Sequence, residues 1–85
     1  MALADIARQM APQLAAEFVE GGDDYTGHII QGKGWKAVVK NFFGGWQVEV
    51  HRQGYPQPVV LFGEDVAAMI FRIKAKLGGL ELPDQ

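Results

Sequence analysis

Two histidines, His28 and His51, and the acidic pairs Asp23-Asp24 and Glu64-Asp65 are the side chains that could hold a metal ion or move a proton. None stands at a ligating spacing, such as two histidines four residues apart on a helix, so no metal site is assigned. Asp23-Asp24 suits a turn and Glu64-Asp65 suits the start of a helix. The chain has no serine, Cys 0, and a single threonine, Thr26. A Ser-His-Asp or Cys-His nucleophilic site therefore cannot be built within one chain, nor can a thiolate zinc site. Glu49 is expected opposite Lys40, which favours an ionised carboxylate over the raised pKa of a general acid. Gly32-Lys33-Gly34 falls between two strands and lacks the length and following helix of a phosphate loop. No cofactor is indicated, and the chain reads as non-enzymatic.

Binding chemistry has more support. Lys33, Lys36, Lys40 and Arg52 stand among Trp35, Phe42, Phe43 and Trp46, with Glu49 as the one acid in that segment. Cations for phosphates and flat rings for bases are what single-stranded nucleic acid needs. The whole chain has net charge −2 and pI ≈ 5.5, which argues against a dedicated nucleic-acid binder. An apolar surplus points elsewhere. Val38 and Phe42 fall on the polar side of the predicted sheet. Ala67, Phe71 and Ala75 form a second stripe on the last helix, and Val59-Val60-Leu61-Phe62 is apolar on both sides. Such surplus marks an interface, and a twofold homodimer is its simplest use. The first expectation is thus a small intracellular accessory or protein-interaction protein that self-associates. A nucleic-acid-binding protein using the basic hairpin face is second. A small-ligand domain with a cleft between helix and sheet is third. No apolar run approaches the roughly 20 residues of a membrane span, and no basic region followed by an apolar core marks a secretory signal. A membrane partner is not expected, and a cytoplasmic location is.

The elements that must position these residues follow from periodicity. With 48% hydrophobic and 21% charged residues the composition is that of a folded chain, one α+β domain of 85 residues. Leu3, Ile6, Met10, Leu14 and Phe18 recur at steps of three and four, predicting a helix over about 2–20, kinked at Pro12 and stopped by Gly21-Gly22. Strands are predicted near 25–31, 35–43, 46–52 and 59–62, together a meander over about 25–62. A last helix over about 64–77 carries Val66, Met69, Ile70, Ile73 and Leu77 on one stripe, stops at Gly78-Gly79, and leaves a tail over 80–85.

The expected order is α-β-β-β-β-α: an antiparallel four-stranded β-meander with both helices on one sheet face. A Gly44-Gly45 turn would set Phe43 opposite Trp46, Val39 opposite Val50 and Lys40 opposite Glu49. Trp35, Ala37, Val39, Phe43, Trp46, Val48 and Val50 would then face the helices, and Lys36, Lys40, Gln47, Glu49 and His51 would face water. The register of the first strand stays open between burying His28 with Ile30 and burying Gly27 with Ile29. The helix–strands–helix order resembles that of the double-stranded RNA-binding domain in order alone. That family begins its final helix with lysines that meet phosphates, whereas Glu64-Asp65-Val66 stands here and one strand is extra, so the chain is not assigned to it.

Overall fold

A computed structural model describes residues 2–63 and 65–78. Its first helix, α1, spans Leu3–Gln13 and ends well short of residue 20, the first correction to the sequence reading. Pro12 has no N–H for the Arg8 carbonyl, and its ring crowds that carbonyl. The chain does not ride over this as a kink. Leu14 caps the helix and Ala15 turns left-handed at φ 55°. The Ala16 N–H bonds the Ala11 carbonyl at 2.9 Å and the Ala15 N–H bonds the Pro12 carbonyl at 3.2 Å. These are the two closures of a Schellman stop, made with alanine where glycine is usual.

Residues 17–23, predicted as helix and turn, instead form a strand, β1 (Glu17–Asp23). Phe18 still packs against the core, but from this strand, so its helical spacing from Leu14 is a coincidence. Gly21-Gly22, predicted to stop the helix, lies in a bulge of the ladder with β2 (Gly27–Gly32). Val19 pairs with Ile29 and Asp23 with Gly27, so residues 20–22 stand against His28 alone. A Cβ at Gly22 would land on the Gly27 carbonyl oxygen, and one at Gly27, itself at φ 106°, would land on the Val38 side chain. Asp23 supplies the turn chemistry expected of it. Its Oδ1 accepts from the N–H groups of Tyr25 at 2.8 Å and Thr26 at 2.7 Å.

The remaining elements are β3 (Trp35–Phe42), β4 (Gly45–Arg52), β5 (Val59–Gly63) and α2 (Val66–Lys76). The sheet has five antiparallel strands in the order β1-β2-β3-β4-β5, one more than predicted, because residues 17–23 form a strand and not the end of a helix. The β3–β4 turn is Phe43-Gly44, not Gly44-Gly45. Phe42 pairs with Gly45, Val39 with Val48, and Asn41 with Trp46. The shift from the expected register is two residues, so the faces keep their assignment except at Phe43, which leaves the core side for the turn. The observed register holds polar Asn41, which is exposed, at the end of the ladder. The expected one would have set it against buried Val48, where an amide without partners is costly. The β2–β3 link is the two-residue turn Lys33-Gly34, which pairs Gly32 with Trp35 and decides the open register: His28 and Ile30 are buried.

Ile30, Trp35, Ala37, Val39, Val48, Val50 and Leu61, all on one side of the sheet, join the stripes of both helices in a single core. α1 packs on β1, β2 and β3, and α2 packs on β5. The Asp65 Oδ2 accepts from the Ala68 N–H at 2.8 Å and caps α2. The start predicted at Glu64, the second glycine of Gly78-Gly79, and the tail lie outside the described residues. No helix among the described residues is long and apolar enough to cross a membrane.

The left-handed Ala15 gives a direct test of the helix stop. An L-residue there costs roughly 1–2 kcal/mol relative to the right-handed region, and glycine costs nothing sterically but loses more entropy on folding. Ala15→Gly is expected to stabilise the protein by about 0.5–1 kcal/mol in urea denaturation, with an unchanged slope. A destabilised variant would mean that the helix continues past residue 15.

Candidate interaction surface

Phe43 stands at the tip of the β3–β4 hairpin. It and Gly44 have φ of 44° and 83°, the paired positive values of a type I′ turn. Such a turn favours Asn-Gly, and a bulky residue at positive φ is a genuine outlier. The Phe43 side chain is 93% exposed, so it repays nothing through burial. It meets Phe42 edge-on at 4.7 Å between ring centroids, and Phe42 meets Phe62 of β5 at 4.7 Å. Phe42 and Phe62 stand on the outer side of the sheet, where neither helix covers them, and Phe62 is 53% exposed. Phe42, Phe43, Trp46, Phe62, Ala68 and Arg72 are among the residues that line an open groove of about 490 Å³ between the hairpin tip and the start of α2.

The sequence-predicted interaction residues split into two sets. Phe42 and Val38 lie on the outer sheet face, although Val38 is nearly covered by its neighbours at 9% exposure. Phe71, Ala67 and Ala75 are exposed on α2, on the opposite side of the sheet. Phe71 does not fill the space between the helices. Sequence reasoning missed Phe43, and it names the apolar strand Val59-Val60-Leu61-Phe62 without singling out Phe62. Phe43 was placed in the core by the Gly-Gly turn. The alternating burial of a Val-Val-Leu-Phe strand, with Leu61 buried and Phe62 exposed, was the signal available for Phe62.

The four basic residues also divide. Lys40 Nζ lies 2.9 Å from Glu49 Oε2, a pair reached across the diagonal, since Lys40 pairs directly with Gln47 and Glu49 with Val38. The Glu49 carboxylate also accepts from Gln47 Nε2 at 3.3 Å and lies 3.5 Å from His51 Nε2. The hydrogen bond from Lys40 is the main cause holding the Glu49 carboxyl below its ordinary value, against a smaller upward effect of burial. Arg52 turns to the core side with Trp35. Its Nη1 donates to the Lys76 carbonyl at the end of α2 at 3.1 Å, and its guanidinium stacks 3.9 Å from the Tyr55 ring centroid. Lys33 and Lys36 make no ion pair among the described residues. Half of the predicted phosphate-contacting set is therefore engaged within the fold.

His28 Nε2 donates to Asp24 Oδ1 at 2.8 Å, its Nδ1 is buried without a partner among the described residues, and its ring stacks on Phe18. The pair ties the β1–β2 turn to the buried side of β2. The neighbouring Thr26 Oγ1 donates to Asp23 at 3.0 Å. Among the described residues no three His, Asp or Glu side chains converge as metal ligands.

Glu49 sets a pH dependence with a definite sign. Its folded pKa is lower than its unfolded one, so its contribution is complete above the ordinary glutamate range and is lost as pH falls through the folded value. Glu49→Gln is expected to unfold more easily than the unsubstituted chain at neutral pH, and the difference should shrink on acidification. Equal pH profiles for the two would show that the Lys40 contact contributes nothing. Against this geometry, comparison of the chain with protein-family models, with curated proteins and with solved structures finds no match to any of them.

Proposed function

We propose that this chain is a small non-enzymatic protein-interaction module that self-associates and also presents the aromatic cluster Phe42–Phe43–Phe62 to a protein partner. One observation carries the reading: a phenylalanine occupies the left-handed position of a tight turn with its ring in water. Folding gains little from that choice, because asparagine would fit the backbone better. Strain held at an exposed position argues for a use outside the fold. Exposed aromatics beside a guanidinium, here Arg72, are the residue types enriched at interface hot spots.

Phe43→Asn separates the two roles. It relieves the turn and removes the edge contact with Phe42, so stability should be unchanged or raised by up to about 1 kcal/mol. Affinity capture with immobilised protein should nevertheless lose the proteins held by the unsubstituted chain. Retention of the same proteins by Phe43→Asn and Phe42→Glu would remove the hairpin tip as the docking surface.

A nucleic-acid reading rests on Lys33 and Lys36, with Lys40 already paired. Fluorescence anisotropy of mixed-sequence single strands should show no salt-sensitive binding at low ionic strength. A steep salt dependence abolished by Lys33→Glu/Lys36→Glu would replace the protein-interaction reading with this one.

A further inference from the structure

Among the described residues no strand lies on the outer edge of β5, and hydrogen-bond parity shows which groups that edge offers. A two-residue turn is closed by a hydrogen-bonded pair. This makes Phe42–Gly45 such a pair in the β3–β4 ladder, and then Lys40–Gln47 and Val38–Glu49. The alternate β4 residues Trp46, Val48 and Val50 consequently turn their backbone groups to β5, where they meet Gly63, Leu61 and Val59. What remains on β5 is the N–H and C=O of Val60 and of Phe62, aimed away from the sheet. The Phe62 carbonyl indeed accepts from Arg72 Nη1 at 2.9 Å. A carbonyl has a second lone pair, so that contact does not close the edge.

The two edges of the sheet are treated differently. β1 carries Glu17, Glu20, Asp23 and a bulge. Arg8 of α1 also reaches over it, 4.6 Å from the Phe18 ring centroid and 3.5 Å from Glu20. Charge and irregularity of this kind block strand addition. β5 is Val-Val-Leu-Phe-Gly, with no charge within the strand and an unbroken register, and Arg72 of α2 reaches its edge at the Phe62 carbonyl.

We propose that β5 pairs antiparallel with β5 of a second copy about a twofold axis, joining two five-stranded sheets into one. One register pairs both outward residues within Val59–Gly63, since with Phe62 on the axis the partner position of Val60 would fall beyond the end of β5. With Leu61 on the axis, Val60 faces Phe62 of the second copy and every outward N–H meets a C=O. With Val60 on the axis, Phe62 would face Pro58, which has no N–H. The helices fit the same axis. Arg72 marks the flank of α2 that overhangs β5, and Ala68 and Ala75, four residues before it and three after, share that flank and are exposed. Small side chains there let a second α2 approach. The protected β1 edges then face outward, so the assembly closes at two copies. This pairing rests on the reading of the chain as a self-associating module.

Light scattering over a range of concentrations, with hydrogen exchange at the Val60 and Phe62 amides, tests it. The unsubstituted chain should show twice its 9.3 kDa mass, with both amides slowed by about tenfold or more relative to dilute protein. Val60→Lys, at a position 40% exposed, should return the mass to that of one chain with the fold intact. Val60→Pro should do the same, because the N–H it removes is not used by β4. Phe43→Asn should leave the mass doubled, which separates this edge from the hairpin tip. A single-chain mass for the unsubstituted protein at all concentrations would overturn the pairing. So would a doubled mass that survives both Val60 variants while the two amides exchange freely. In either case the capture experiment with Phe43→Asn judges the hairpin tip by itself.

Discussion

Two amphipathic helices must bury their stripes against one side of a single sheet, and the other features of the molecule descend from that constraint. Because α1 and α2 share the core with Ile30, Ala37, Val39, Val48, Val50 and Leu61, every strand must direct its alternate residues inward to the same side. The other face has neither helix over it, although Val38 and Gln47 there are covered by their neighbours. Its members include Lys36, Lys40, Gln47, Glu49 and His51, but also Phe42, Val60 and Phe62. A small domain cannot cover both sides of a five-stranded sheet with two helices of 11 residues each.

The charged groups fall into place around the same division. Lys40 and Glu49 neutralise each other where the outer face is half-buried, and Arg52 turns inward to close the carbonyl end of α2. What remains at the hairpin tip and along β5 is apolar, with Arg72 as its neighbour.

Much of this was legible in the residues because alternation survives small errors. Counting the hairpin turn as Gly44-Gly45 misplaced the register by two residues, yet a shift of two preserves which face each side chain takes. Val38, Phe42, Lys36 and Lys40 were assigned correctly for that reason. Phe43 was not, because a turn residue has no face. The second helix was legible from its stripe and its acidic start. The first strand was not, because Phe18 continues the helical spacing of Leu14 and the residues between them, Ala15, Ala16 and Glu17, are all good helix formers. Periodicity and propensity agreed there, and the missing Pro12 N–H, a single backbone donor, outweighed both. The uneven treatment of the two sheet edges was hidden with it, since an edge cannot be compared with a strand that has not been recognised.

That alanine-borne stop has a kinetic side. Residues 14–18 have a local preference for helix and a native role as turn and strand, a conflict between neighbouring levels of structure. The segment is settled only when β2 is present to pair with it, so β1 is placed to join the sheet after the β2–β3–β4 hairpins, whose tight turns need no distant partner. Until it joins, β2 is the outermost strand, and its run Gly-His-Ile-Ile-Gln-Gly carries no acid. Arrival of Glu17 and Glu20 ends that interval. The last strand to zip would then be the one whose side chains keep stray strands away, and the speed with which Ala15 adopts its left-handed turn would govern how long the nascent sheet is open to misassembly.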